Sequence, residues 1–75
     1  FNESVNQAIE RAYKADSNQP IILGLMGVRA YIDNNFEEAI FFWQRGLDNT
    51  EKNDPYYQSY LDGVRKAEEK ILMNQ

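Results

Sequence analysis

Two amphipathic segments of this chain repeat the same order of residue types at an offset of about 34 residues. Within each segment the apolar residues recur at helical spacing. A period of this length is typical of helical repeat arrays, in which each unit buries its apolar face only against its neighbours. The pairs that agree in charge, size or apolar phase are Glu3 with Glu37, Val5 with Ala39, Ile9 with Trp43, Glu10 with Gln44, Arg11 with Arg45, Ala12 with Gly46, and Tyr13 with Leu47.

Apolar spacing, prolines and polar turn clusters divide the whole chain into four helical segments, and no segment alternates as a strand does. Asn35 and Glu38 stand in capping-box spacing, and Asp54 precedes Pro55 as an N-cap. The asparagines after the second segment tolerate the left-handed conformation that closes a helix. The sequence therefore predicts an all-α fold with four helices. They run from about Glu3 to Ala15, from Pro20 to about Ile32, from the N-cap Asn35 to an end that fades through Asp48–Asn53, and from Pro55 to about Leu72.

The composition excludes several classes of function. The net charge is -4 and the isoelectric point about 4.6, so we expect no nucleic-acid partner, because phosphate binding needs a basic surface. The chain has neither cysteine nor histidine, which removes thiol nucleophiles, thiolate metal sites and the commonest general base. Neighbouring glutamates such as Glu37 and Glu38 point about 100° apart on a helix and do not share a site. We therefore expect no enzyme activity, no metal and no cofactor.

Targeting and membrane signals are not visible in the 75 residues. No apolar stretch reaches the length of a membrane span, so we expect no membrane contact from this segment itself. The chain begins at Phe1 rather than at an initiator methionine. We therefore expect it to be part of a longer protein.

The stretch from Pro20 to Leu47 resembles one tetratricopeptide unit. That signature places a large apolar residue, Leu-Gly, an aromatic, then alanine and a further aromatic. The corresponding residues are Leu23, Met26-Gly27, Ala30 with Tyr31 beside it, Ala39 and Trp43, while Glu51 stands where the closing proline is usual. The resemblance implies antiparallel helix-turn-helix repeats in a short right-handed solenoid. Residues 1–16 would be the second helix of a preceding repeat, residues 20–50 one full repeat, and residues 54–73 a C-terminal capping helix.

A narrower resemblance involves the segments Ala8–Ala12 and Phe36–Leu47 and the Asp54-Pro55 step. They are similar to the tetratricopeptide domain of bacterial cytochrome c biogenesis proteins of the CcmI, CycH and NrfG type. That resemblance implies a module that holds the C-terminal segment of apocytochrome c. It also implies a location in the periplasm, or tethered to the membrane on that side, with the cytoplasm as the alternative.

The second helix carries more apolar surface than one helix pair can bury. Leu23, Met26, Gly27 and Ala30 form its internal stripe. The remaining residues predict a groove for a protein or peptide partner, either an amphipathic helix or an extended segment. This predicted groove comprises Ile21, Gly24, Leu25, Val28, Arg29, Tyr31 and Ile32.

Each of these assignments has an alternative. The surplus apolar residues could instead pack on the first and fourth helices or on further repeats. Arg29 could meet a guest carboxylate or pair with a nearby Asp or Glu. Phe41 and Phe42 lie off the core stripe, and we consider them a secondary contact, for example in a homodimer, or packing partners of the fourth helix. At the level of function, a generic repeat scaffold, an oligomerisation element and a regulatory domain of a larger protein stay open beside peptide binding.

Overall fold

The computed structural model describes residues 2–74, which form four helices and no strand. The all-α prediction is confirmed. The helices are α1 (Glu3–Ala15), α2 (Pro20–Ile32), α3 (Phe36–Asp48) and α4 (Pro55–Met73). Connections of three to six residues link them, and such short turns place consecutive helices side by side in opposite directions. The predicted limits of α1, α2 and α4 agree with the observed ones within one residue, and α3 ends at the first residue of the stretch over which it was predicted to fade.

Local capping residues explain three of the helix ends. The side chain of Asn2 accepts a hydrogen bond from the backbone N–H of Val5, and that of Asp54 accepts one from the N–H of Tyr56, each over 2.9 Å. These bonds satisfy backbone donors that the first turn of a helix leaves free. Asn34 has a φ of 62° and closes α2 in the left-handed conformation, as predicted.

The predicted capping box of α3 does not form. Asn35 is the N-cap residue, but no side-chain capping bond is present there. The backbone N–H of Asn35 already donates to the carbonyl oxygen of Ala30, 2.8 Å away, in the turn that ends α2. A capping box needs that N–H as the donor to the third helical residue. Glu38 therefore has no donor to accept from.

Two apolar clusters form the core, and α3 contributes to both. The first joins the end of α2 to α3 and α4 and contains Ala30, Phe36, Ala39, Trp43, Tyr60, Val64 and Ala67. The second joins α1 to α2 and α3 and contains Ile9, Leu23, Met26 and Phe42. The predicted internal stripe of α2, namely Leu23, Met26, Gly27 and Ala30, is buried throughout. Helix α1 shares a smaller interface with the rest of the fold than α2, α3 and α4 share among themselves.

The Cα atoms occupy a slab of 35 × 32 × 15 Å. A layer this thin cannot surround all sides of α2, because a helix with its side chains is itself about 10 Å across. Consequently part of the apolar surface of α2 stays in contact with solvent: Ile21, Val28 and Ile32 are all exposed.

Candidate partner-binding groove

An open apolar cavity with a volume of about 300 Å³ lies between α2 and the first half of α4. We call it the α2–α4 groove. None of its lining residues carries a charge. They are Ile21, Gly24, Leu25, Val28, Trp43, Tyr56, Ser59 and Tyr60.

The rim of the groove is formed by large side chains that the fold leaves exposed. Ile21 and Tyr56 are each 52% exposed, and Val28 is 39% exposed. Leu25 lies deeper, because it also packs against the cluster between α1 and α2. Ser59 and Tyr56 are the exposed rim residues of α4 that carry a hydroxyl. The rim is thus mostly apolar with few polar groups, as is common in binding sites of proteins.

Trp43 of α3 forms one half of the groove floor. Its indole N–H donates to the carbonyl oxygen of Gly24, 3.1 Å away, so the polar tip of a buried ring is satisfied. The two faces of the ring lie on glycines of different helices. A Cβ on Gly63 would lie 2.8 Å from the ring, and one on Gly27 would lie closer still. These glycines therefore let α2 and α4 approach the indole more closely than alanine would allow.

Tyr60 of α4 forms the other half of the floor. Its hydroxyl donates to the carbonyl oxygen of Pro20, 2.8 Å away on α2. The ring covers Gly24, where a Cβ would lie 2.6 Å from Cε1, and it also packs on Gly46 of α3. Gly24 and Gly46 therefore serve the close packing of α4 on α2 and α3. Gly24 itself is buried beneath the Tyr60 ring, so a guest on the groove would meet the ring rather than the glycine.

Burial raises the pKa of the Tyr60 hydroxyl above 10.0, and the negative charge of Asp54 and the neighbouring Tyr56 raise it further. The hydroxyl therefore stays protonated at neutral pH and keeps donating to Pro20. Among the charged groups, Asp54 contributes most to this raised pKa of Tyr60, a residue of the groove floor.

Two further cavities continue the groove along α4. The first, at the N-terminal ends of α2 and α4, shares Ile21 and Tyr56 with the groove and adds Asp54. The second, toward the C-terminal end of α2, shares Trp43 and Ser59 and adds Tyr31, Asp62, Gly63 and Lys66. The three cavities adjoin through these shared lining residues, and we call the row of them the channel. Its central cavity has no charged lining residue, whereas charged side chains line the two outer cavities.

The seven residues of the predicted groove do not form one surface. Ile21, Gly24, Leu25 and Val28 line the α2–α4 groove. Tyr31 lies in the adjoining cavity and packs edge-on against the ring of Phe36. That these residues contact a partner stays a prediction.

Arg29 and Ile32 lie apart from the groove. The guanidinium of Arg29 forms an ion pair with Glu10 of α1, at 3.4 Å, and donates to the sulfur of Met26. The alternative that Arg29 pairs within the chain is therefore the one observed. Ile32 is 59% exposed and lines none of the three linked cavities. Helical periodicity identified it as surplus but did not give its direction.

Phe41 and Phe42 have different environments. Phe42 is buried in the cluster with Ile9 and meets the ring of Tyr13 edge-on, so the expectation that it packs against α4 is wrong. It points toward α1 and α2, because Trp43 already occupies the side of α3 that faces α4. Phe41 is 52% exposed, and the Arg45 guanidinium lies 5.6 Å from its ring centroid.

Sequence reasoning did not assign Tyr56, Ser59 or Gly63 to the site. Tyr56 stacks on Tyr60 with 6.3 Å between ring centroids, which places it on the rim. Gly63 had a detectable signal, since a glycine inside an otherwise good helix costs about 1 kcal/mol and needs a reason. Tyr56 and Ser59 had none, because only the rotation of α4 against α2 brings them to the groove.

Residues 2–74 contain no cluster of three or more acidic side chains arranged to hold a metal ion. Over the same range, no helix combines the length and the apolar character that crossing a bilayer requires.

Comparison with known proteins identifies one informative relative. The chain is 29% identical over 62 residues to the cytochrome c-type biogenesis protein CycH of Pseudomonas aeruginosa. The match covers 83% of this chain and 15% of the length of CycH, so the chain corresponds to a small part of that protein. No protein-family model matches the chain, and no solved structure matches it. The chain is a four-helix protein and a distant relative of one segment of a cytochrome c biogenesis protein.

Proposed function

We propose that this chain is a tetratricopeptide-type module that holds a segment of a protein client during cytochrome c maturation. In this proposal the client segment, such as the C-terminal segment of an apocytochrome c, packs into the α2–α4 groove. The module is not an enzyme and needs no cofactor. The observation that carries the proposal is the groove itself, whose exposed apolar rim is supported by a rigid aromatic floor.

Three further observations support this role. The 34-residue offset is the tetratricopeptide period, and residues 20–50 would form one full unit between residues 1–16 of a preceding repeat and the capping helix at 54–73. A short right-handed solenoid of this kind presents a concave face as its binding surface. The relationship to CycH fits a role in cytochrome c maturation. A periplasmic location, free or tethered to the membrane on that side, is part of the same proposal.

The physical driving force would be burial of the groove rim. Ile21, Val28 and Tyr56 are each about half exposed, so a guest would remove substantial apolar surface from water. Full burial of one large apolar side chain contributes about 1.5–3 kcal/mol. Trp43 and Tyr60 are already fixed by hydrogen bonds to α2, so little conformational entropy is lost in the floor when a guest binds.

The test is a titration of the protein with a synthetic peptide from the C-terminal segment of an apocytochrome c. Trp43 is the sole tryptophan and lies in the groove floor, so its fluorescence reports occupancy directly. We expect a saturable change in emission. The absence of any response, both with this peptide and with unrelated amphipathic helices, would count against the proposal.

Val28 and Ile32 provide a matched pair of variants on one helix. Val28→Gln places a polar side chain on the groove rim, whereas Ile32→Gln changes a more exposed residue outside the groove. We expect Val28→Gln to weaken peptide binding about tenfold, roughly the 1.4 kcal/mol that loss of one rim contact represents. Ile32→Gln should leave binding unchanged. Equal effects of the two substitutions would place the contact surface elsewhere on α2.

A homodimer through Phe41 is the alternative from another class of function, because that ring is exposed. Size-exclusion chromatography at several protein concentrations distinguishes the peptide-binding hypothesis from the homodimer hypothesis. A monomer that binds peptide supports the module described above, and a dimer that Phe41→Ser dissociates supports the oligomerisation role.

A further inference from the structure

The charged residues of the channel come from α4 and from its N-cap residue, at either side of the apolar centre. Asp54 lines the cavity at the N-terminal end of the helix, and Asp62 and Lys66 line the cavity toward its middle. The α2–α4 groove between these cavities has no charged lining residue. Any guest that spans the channel therefore passes from a carboxylate, over an apolar stretch, to a second carboxylate.

Both carboxylates lack a cationic partner among residues 2–74. One oxygen of Asp54 accepts from the backbone N–H of Tyr56, and one oxygen of Asp62 accepts from the side-chain amide of Gln58, each over 2.9 Å. The ion pair within the described part of the chain joins Arg29 to Glu10, away from the channel. The second oxygen of each aspartate is thus open to a donor from outside.

The charge of the whole molecule also favours a cationic guest. The net charge of the chain is -4, so a cationic partner is attracted at long range. After burial, the charge of Asp54 is the next contribution that raises the pKa of Tyr60 in the groove floor. Lys66 acts in the opposite direction, one helical turn beyond Asp62, and it partly offsets the attraction at that end.

We propose that the guest of the α2–α4 groove is a cationic amphipathic segment, with an apolar stretch flanked by basic side chains that pair with Asp54 and Asp62. This inference rests on the proposed function and specifies the chemistry of the guest. Asp54, the N-cap residue of α4, and Asp62, inside that helix, are eight positions apart, which corresponds to about 12 Å along the axis at 1.5 Å per residue. A helical guest matches that span with basic residues about eight positions apart.

Three designed peptides test this assignment. All are amphipathic helices of the same length with one leucine face, and they differ at two positions eight residues apart, which carry lysine, glutamine or glutamate. We expect the lysine peptide to bind about three- to tenfold more tightly than the glutamine peptide at low salt, since each exposed ion pair is worth a small factor. The glutamate peptide should bind most weakly. The differences should shrink as salt screens the charges.

Matched variants of the protein show which side chains cause the preference for the lysine peptide. Asp62→Asn should weaken binding of the lysine peptide about two- to fivefold and leave the glutamine peptide unchanged. Asp54→Asn should act similarly, and asparagine keeps the helix cap intact. Lys66→Gln should tighten binding of the lysine peptide. Glu69→Gln changes the net charge of the protein equally but lies outside the three cavities, so it should have little effect.

The outcomes separate this inference from the proposed function. If the glutamate peptide binds as tightly as the lysine peptide, or if Glu69→Gln acts as strongly as Asp62→Asn, the cationic assignment is overturned while peptide binding stands. If none of the three peptides alters Trp43 fluorescence or binds by calorimetry, both proposals are overturned.

Discussion

The hydroxyl of Tyr60 on α4 donates a hydrogen bond to the carbonyl oxygen of Pro20 on α2, over 2.8 Å. The bond joins residues 40 positions apart in the sequence, on the two helices that flank the groove. The Tyr60 ring that carries the hydroxyl also forms part of the groove floor. The bond fixes the distance between the two walls where a guest would enter. The stability of the packing of α4 against α2 and the shape of the candidate site therefore depend on the same side chain.

Tyr60→Phe tests this link. The substitution keeps the ring on Gly24 and Gly46 but removes the donor to Pro20. We expect the free energy of unfolding in urea to fall by about 1 kcal/mol, the usual net value of an intramolecular hydrogen bond. Tyr57→Phe is the control, because no hydrogen bond within the described residues involves the Tyr57 hydroxyl. An equal loss in both variants would show that the Pro20 bond contributes nothing specific.

The raised pKa of Tyr60 predicts how stability depends on pH. Burial and the charge of Asp54 hold the native pKa above the unfolded value of about 10. Between those values the native state binds more protons than the unfolded state, so the free energy of unfolding falls as pH rises. The contribution is fully present below pH 10 and is lost above it.

Tyr60→Phe isolates this contribution from other titrations at high pH. We expect the unfolding free energy of the unsubstituted protein to decline more steeply above pH 10 than that of the variant, with parallel curves between pH 7 and 9. Urea denaturation at each pH supplies the measurement. Identical slopes would mean that the hydroxyl titrates equally in the folded and unfolded chains.

The helix limits could be predicted from the sequence because each end carries a local signal. Pro20 and Pro55 open helices, Asp54 caps one, and Asn34 takes the left-handed conformation that closes another. Such signals act over a few residues and do not depend on the rest of the fold. The capping box at Asn35 failed for a non-local reason, since the end of α2 already uses its N–H.

The groove could be predicted only in part because periodicity does not say which neighbour covers each side of a helix. Ile21 and Val28 were correctly identified as apolar surplus and lie at the rim. Arg29 was placed with them, but its partner Glu10 comes from α1. Tyr56 was missed because its position depends on the packing of Tyr60, which no pattern within α4 reveals.

Glycines at the helix interfaces are predicted to lose the usual stabilisation by alanine, to a degree set by how closely a Cβ would approach its neighbours. In an exposed helix, Gly→Ala stabilises by about 1 kcal/mol. At Gly27 a Cβ would collide with the Trp43 indole, a rigid ring fixed by its own hydrogen bond. We expect Gly27→Ala to lower the free energy of unfolding by about 1–3 kcal/mol, as overpacking does.

Gly46 supplies the graded comparison. A Cβ there would lie 3.1 Å from the edge of the Tyr60 ring, a contact that a shift of a few tenths of an ångström relieves. The gain in helix propensity should then offset most of the strain, so that Gly46→Ala stays within about 1 kcal/mol of the parent. Thermal or urea unfolding ranks the two variants. The reverse order would contradict the observed approach of α2 to Trp43.

Arg45 connects α3 to α1 and to the turn between α1 and α2, so its removal tests how α1 is held in place. Its guanidinium donates to the carbonyl oxygen of Ser17 at 3.1 Å, to the Tyr13 hydroxyl at 3.3 Å, and to the side chain of Asn18. Hydrogen bonds to charged groups are worth about 1.5–3 kcal/mol when buried, and this group is partly exposed, so we expect Arg45→Gln to cost about 1 kcal/mol. Since α1 otherwise has a small interface, the loss should be concentrated there.

Amide hydrogen exchange distinguishes a local loss from a global one. In Arg45→Gln the amides of α1 should exchange faster than in the parent, while those of α3 and α4 keep most of their protection, because local opening requires only the contacts of α1 to break. Arg65→Gln is the charge-matched control on the exposed face of α4 and should change neither region. Uniformly faster exchange in all four helices would show instead that α1 unfolds only together with the whole domain, and that Arg45 stabilises the fold as a single unit.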